Sequence, residues 1–547
     1  MKVAVLGGYG VFGARLCELL LRDGHDVLIV GRHFESARAL AERIGGRPVA
    51  VDIRKAPDTI FKSSPDVVVD AVGPFHDYGS DPYVIPRLCL RHGADYLDLS
   101  DSADFTAGLS ALDAQARESG RRLLSGASSV PGISSAVAAD LVEGLDEILL
   151  VDSAIMPGNR APRGTSVIAS IVSQLGTASR VWRGGIWRAQ PCWSDARRIR
   201  LAPTLVRRVQ FIEVPDIRLF PAFFRVRSVM FRAGMELDTL NMAMSAVAAL
   251  RRYWPFEVTA RRANLFRWLA NLFLPFGTDR GGMRVAVVGY KGKSVLRREW
   301  RLVAEAGDGP YIPAVTARAA IRKLDKVPPG ARPCLAETSR REIEEAMSDL
   351  SVSTQTNETP SPTLFQSALA DRWDLLPPEA QTLHSVQDME SFSGTAKVIR
   401  GSSLIARFAA WFFGFPKAAD EVPLTITKTR TEKGEIWERN FGGRVFRSYC
   451  TPAPAPYRYR ERFWLFNYEQ ELPVENGSMH LPVRRGWFLG IPLPGILLPA
   501  SESREYARDG VFHFDVALGA PLRGGLIVRY RGWVKPDRGG SDPFSSS

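Results

Sequence analysis

The opening residues, MKVAVLGGYGVFGARLCELLLRDGHDVLIVGR, leave the chain little choice, because they spell a strand, a glycine-rich turn, a helix and a second strand. Val3, Val5 and Leu6 form a short apolar strand, and Gly8, Gly10 and Gly13 then take G-x-G-x-x-G spacing ahead of a helix over Ala14 to Arg22. Gly8 permits the tight turn, Gly10 lets backbone approach a pyrophosphate, and Gly13 allows close helix packing. Phosphates belong at the helix N-terminus, where N–H groups lack intrahelical acceptors and the dipole favours anions. A lone glycine motif is weak, but here a strand precedes it, a helix follows, and Asp26 to Val30 close the unit. The unit predicts a dinucleotide-binding domain.

The second strand ends in Gly31-Arg32, where an Asp or Glu would accept hydrogen bonds from a free ribose 2′-hydroxyl. NADP (NADPH) is therefore expected over NAD, with Arg32 pairing with the 2′-phosphate and stacking on adenine, and Arg38 assisting. The alternative is a solvated arginine at a strand end.

The chain has 547 residues, too many for one core, so about three domains are expected. The fold class read from the pattern is α/β: a Rossmann doubly wound parallel sheet, an inserted mixed α+β substrate domain, and a separate C-terminal β-rich domain. Strand-like and helical stretches alternate through residues 1–147, with strands at Pro48 to Ile53, Val67 to Val72, Tyr96 to Leu99 and Arg121 to Ser125. From 148 to 350 the pattern is mixed. A helix is expected near Val167 to Leu175, a hairpin at Met283 to Tyr290 and Ser294 to Ala304, a helix at Pro313 to Leu324, and the end of this region is expected to return to the Rossmann domain. Residues 351–363 (SVSTQTNETPSPT, from Ser351) are polar and read as a linker. Residues 364–536 read as a β-rich accessory domain, and 537–547 as a disordered tail. Within the accessory domain Leu404 to Phe413 reads as a core helix, or else as the wall of an apolar cavity.

No apolar run reaches the length of a membrane span, and the N-terminus opens a strand, so a cytoplasmic location is expected. Five cysteines without CxxC spacing suit reduced thiols, and seven scattered histidines predict no metal site. Between Arg180 and Arg284 lie nineteen Arg, no Lys and seven acidic residues, an excess equal to the formal net charge of +12 of the whole chain. Trp182, Trp187, Trp193, Trp254, Trp268 and the apolar stretch Leu265 to Phe276 share this segment. Three readings stay open: a packed core with a solvated arginine face, peripheral contact of 180–284 with the inner membrane or a lipid substrate, and nucleic-acid binding, which is disfavoured because no reading module is present.

Four loops together are more specific than the glycine motif. Gly7-Gly8-Tyr9-Gly10-Val11-Phe12-Gly13, Val72-Gly73-Pro74-Phe75 with Tyr78-Gly79, Gly93-Ala94-Asp95-Tyr96-Leu97-Asp98, and Gly126-Ala127-Ser128-Ser129-Val130-Pro131-Gly132 resemble the saccharopine dehydrogenase-like reductases in order and spacing. The resemblance covers roughly residues 1 to 345 and extends to Gly281-Gly282-Met283-Arg284-Val285 and Gly307-Asp308-Gly309-Pro310. The later region, with Gly434 to Phe441 and Tyr530 to Trp533, is similar to a bacterial domain of unknown function fused behind such reductases.

The resemblance implies an enzyme that transfers hydride to or from a C=O, C=N or activated C=C. It places Gly8, Tyr9, Gly10, Val11, Phe12 and Gly13 at the pyrophosphate, Arg32 at the 2′-phosphate, Asp52 at the adenine edge, and Val72, Gly73, Pro74 and Phe75 at the nicotinamide. Candidates to manage the accompanying charge are His76, Tyr78 and Asp98, with Asp77, Asp101, Ser128 and Ser129 nearby. The aromatic second domain points to an apolar or lipid-like small-molecule substrate. A homodimer is a further expectation. The rival reading is a non-catalytic dinucleotide-binding sensor or interaction protein at a membrane surface.

Overall fold

A computed structural model describes residues 1–162, 172–254, 272–521 and 525–539. The chain forms two compact units, one of Met1–Trp182, Arg188–Gly289 and Arg297–Thr359, the other of Arg183–Trp187, Tyr290–Leu296 and Pro360–Ser547. Among the described residues no helix is long and apolar enough to cross a membrane.

In the first unit, β1 (Lys2–Leu6), β2 (Asp26–Gly31), β3 (Arg47–Ala50), β4 (Val67–Asp70), β5 (Asp95–Asp98) and β6 (Arg122–Ser125) build a parallel sheet. The central strands are largely apolar because both faces are covered, and Val3 to Leu6, Val27 to Val30 and Val67 to Val69 are all buried. The chain runs outward from β1 to β3 and then crosses to the far side of β1 at β4, so the order reverses between β1 and β4. Doubly wound sheets place ligands in that crevice. Helix α1 (Val11–Arg22) returns along the sheet with Leu16, Cys17, Leu19 and Leu20 buried. The helix Ile312–Arg322 packs on it, held by Arg318 and Arg322, which both grip Asp23 (2.7 Å each).

A second sheet holds β7 (Glu147–Met156), β10 (Arg197–Ala202), β11 (Leu205–Phe211), β12 (Ser228–Ala233), β13 (Gly281–Lys291), β14 (Ser294–Ala304) and β16 (Val352–Pro360), in the order β10-β11-β12-β7-β13-β14-β16. The sheet is mixed, since β12 runs parallel to β7 but antiparallel to β11. The pair β8 (Ala178–Arg183) and β9 (Ile186–Pro191) stands apart, and β15 (Gly330–Pro333) returns to pair with β6.

The linker expected at 351–363 is corrected by β16, a strand on the edge of the second sheet. Its Val and Thr residues favour extended backbone, and an edge strand needs ladder hydrogen bonds more than apolar side chains, so polarity disguised it. The arginine excess also has a structural part. Arg232 pairs with Asp152 and, at 2.7 Å, with Asp195, Arg284 pairs with the same Asp152, and Arg207 meets Glu236 at 2.8 Å. Burial works against the charge on Asp152, yet Arg284 and Arg232 hold its carboxyl well below the usual range. Residues 163–171 and 255–271 lie outside the described residues. The expected helix near Val167 to Leu175 is therefore described only from Val172, and Trp268 and most of the Leu265 to Phe276 stretch are not described. Of the expected tail, 540–547 also lie outside them.

The second unit is dominated by antiparallel strands. Met389–Arg400 pairs on one side with Ala419–Arg430 and on the other with the last strand, Leu526–Pro536, so the two ends of the sheet sequence meet in its middle. Phe365, Phe392, Trp437, Tyr459, Phe512 and Phe514 pack inside. A buried ionic group lies among them, in which Lys428 contacts Glu435 (3.0 Å) and His384 contacts Glu505 (2.6 Å). The expected core helix at Leu404 to Phe413 is corrected. A helix forms over Leu404–Phe412, but Leu404 is 80% exposed and only Ala406 and Ala410 are buried. These small residues let it lie close to the sheet at Gly401, leaving the large ones outside.

Candidate functional site

The glycine turn is shaped by close backbone approaches. A Cβ on Gly13 would stand 2.2 Å from the Gly7 carbonyl oxygen, and one on Gly8 would stand 2.9 Å from the Val5 oxygen. Gly7, at φ +67°, faces the Ala71 carbonyl, where a Cβ would come within 2.9 Å, so the turn after β1 sits against the loop after β4. Gly10 caps α1 without a side chain, and the first intrahelical bond runs from Ala14 N to Gly10 O (3.0 Å). The N–H groups of Val11, Phe12 and Gly13 therefore precede that bond, which is the donor set an anionic pyrophosphate needs. A dinucleotide fits this cradle.

At the end of β2 the reason for glycine is steric. The Tyr9 ring lies across Gly31, with its Cε1 2.1 Å from where a Cβ would be, and the Tyr9 hydroxyl accepts from His33 N (3.2 Å). Arg32 follows and is exposed. Arg38 shares its charge with Glu35 (3.1 Å) and Glu42 (3.4 Å) on its own helix, Phe34–Ile44. Asp52 lies just past β3, beside Val51, whose N–H donates to the Gly31 carbonyl, and Asp52 uses one carboxylate oxygen to accept from Arg54 N (3.1 Å). Sequence reasoning did not give the reason why residue 31 is glycine, which the Tyr9 ring supplies.

The loop after β4 is anchored by Asp70. Its carboxylate accepts from Val72 N (3.0 Å), and the Tyr78 hydroxyl lies 3.0 Å from each of its oxygens. Phe75 is buried and stacks on Tyr78 at 5.1 Å, with Phe105 against both rings. Val72, Gly73 and Pro74 remain partly exposed, while His76 and Asp77 are exposed. Phe75 is thus a packing residue beneath the loop, and Tyr78 is committed to Asp70.

Asp98 is register partner to Asp70 on the neighbouring strand. It is fully buried, and its Oδ1 accepts from Gly126 N (2.8 Å), Ser100 N (2.9 Å) and the Ser125 hydroxyl (2.9 Å). Its Oδ2 has no hydrogen-bond partner among the described residues. Burial pushes Asp98 up to about 7 against these donors, with the Asp70 charge adding to the rise, and pushes Asp70 up to about 6. A carboxyl poised near neutrality at the ligand edge of a doubly wound sheet can hold or release a proton. Asp101 is exposed, and Ser129 is buried in the loop after β6. Two groups were missed by the sequence reading. Asp70 was legible as the acid ending the run Val67-Val68-Val69. Asp216, buried in the first turn of the helix Pro215–Phe224 and pushed up to about 7 by burial, carried no signal.

Comparison with known proteins agrees with this geometry. Residues 3–124 match the saccharopine dehydrogenase NADP binding domain, and residues 376–534 match a domain of unknown function, DUF4166. Residues 3–124 thus carry the fold of that NADP-binding domain, which supports a nicotinamide dinucleotide as cofactor. Among solved structures, apo saccharopine dehydrogenase (L-Glu forming) from Saccharomyces cerevisiae is similar at 14% identity and a TM-score of 0.48, covering 65% of this chain and 99% of that one. Homospermidine synthase from Legionella pneumophila, in complex with NAD, is similar at 12% identity and a TM-score of 0.43, covering 65% and 91%. No curated protein matches the chain.

Proposed function

We propose that the chain is an NADP-dependent oxidoreductase that transfers hydride to or from a C=O, C=N or activated C=C group of an apolar, lipid-like substrate. The observation that carries this reading is a buried carboxyl, Asp98, with one unpaired oxygen at the strand edge that also bears the dinucleotide cradle. Gly8 to Gly13 would hold the pyrophosphate, Arg32 the 2′-phosphate, Asp52 the adenine edge, and Val72, Gly73 and Pro74 the nicotinamide. NADPH supplies the hydride when bound. Asp98 supplies or receives the proton through Oδ2, and the Asp70 charge raises its affinity for that proton. Contact of the 180–284 segment with a membrane belongs to the same proposal, supported by Tyr253, Trp254 and Phe276, which are 83%, 71% and 73% exposed.

Titration calorimetry tests the cofactor assignment. Arg32→Asp removes the phosphate partner and adds a ribose acceptor, so NADPH affinity should fall by about tenfold or more while NADH binding holds or improves. Equal affinities in wild type and variant would refute the role of Arg32. Oxidation of NADPH in the presence of a cell lipid extract tests the reaction. Tight binding without turnover would favour the sensor reading.

A further inference from the structure

Several exposed apolar residues of the second unit lie on segments that touch one another. The helix Leu404–Phe412 presents Leu404, Ile405, Phe408 and Trp411, the last two 64% and 70% exposed. Its Phe412 ring meets Trp464, 74% exposed at the tip of the hairpin Arg458–Phe463 and Phe466–Glu471, at 6.4 Å. The next residue, Leu465, accepts a hydrogen bond from Leu489 N (3.0 Å), which joins a second hairpin tip where Leu489 and Ile491 are exposed. Clustered apolar surface of this kind marks an interaction site.

Charge and the interior of the same unit indicate what covers it. The three segments that carry the face, 400–418, 462–468 and 484–499, contain six basic residues and no acidic one. Arg407 lies on the helical stripe of Leu404 and Trp411, and Arg444 adds a cation at the helix end, where it donates to the Gly414 carbonyl (3.1 Å). An anionic bilayer offers what this pattern requires, negative head groups above an acyl layer. Directly behind the face, Phe413 and Phe463 wall a cavity of about 110 Å³, whose mostly apolar lining includes the pair Arg439 and Glu461 (3.2 Å). An apolar cavity walled by residues next to an apolar face favours a lipid occupant over a protein one.

We propose that this face docks the chain on anionic lipid bilayers, with Leu404, Phe408, Trp411 and Trp464 entering the acyl boundary and the arginines meeting phosphates. The assignment is independent of the 180–284 segment. In flotation, the full chain should rise with vesicles of phosphatidylcholine and phosphatidylglycerol and stay down with phosphatidylcholine alone. The double variant Phe408→Asp, Trp411→Asp should lose more than about tenfold in partitioning, since each ring forfeits its burial. All five native cysteines are buried, so an environment-sensitive dye can be placed selectively on Phe408→Cys and should shift to the blue on anionic vesicles. This second readout decides the matter should the double variant fail to fold. Failure of the chain to float, or flotation of the double variant like wild type together with an unshifted dye, would overturn the proposal. So would a dimer, seen by light scattering without vesicles, that the double variant dissolves, because a second copy would then cover the face.

Discussion

Replacing Gly13 with valine is expected to abolish measurable NADPH binding and to lower stability by several kcal/mol. The added Cβ would sit 2.2 Å from the Gly7 carbonyl oxygen, a backbone atom that no rotamer change can move aside. Relief requires α1 to shift away from the turn, which costs about 1 to 3 kcal/mol or more by analogy with overpacked cores and withdraws the first-turn N–H groups from any phosphate. Gly10→Ala is the control, because its Cβ would meet only the Gly7 oxygen, at 3.0 Å. That variant should melt close to wild type while binding NADPH more weakly. Calorimetry and thermal denaturation report the two effects separately. Wild-type affinity in Gly13→Val would mean that the turn does not hold the pyrophosphate.

The second large effect concerns Asp98→Asn and pH. The folded carboxyl is pushed up to about 7 from an ordinary 3.8. Between those values the folded chain binds more protons than the unfolded chain, so the Asp98 contribution is fully present below about pH 4 and is lost as pH rises to about 7. Asparagine does not titrate. The stability of the variant relative to wild type should therefore rise across this window, by on the order of 4 kcal/mol at the limit of about three pKa units. Denaturant unfolding at a series of pH values checks the slope, and parallel curves for the two proteins would show that Asp98 is ionised in the fold at all of them.

Some of this architecture was legible because local and global preferences agree. The first unit announced its parallel sheet through fully apolar strands such as Val67 to Val69, and its ligand edge through glycines whose spacing has a steric cause. The failures have physical sources as well. Residues 352–360 satisfy backbone rather than bury side chains, so hydrophobic pattern was silent on β16. The helix Leu404–Phe412 satisfies every rule for a core helix except that its small residues, not its large ones, face the sheet. Asp70 and Asp98 are brought together by register between strands far apart in sequence, which spacing within either segment does not encode.

The ring of Tyr9 resting on Gly31 has a consequence for anyone redesigning coenzyme preference. The usual exchange, an acidic residue at the last position of the second strand, is blocked here unless Tyr9 is made smaller at the same time. On the function proposed above, discrimination between the two coenzymes falls one residue along the chain, to the exposed side chain of Arg32. A single substitution at residue 31 would unseat the aromatic ring before it could ever contact a sugar.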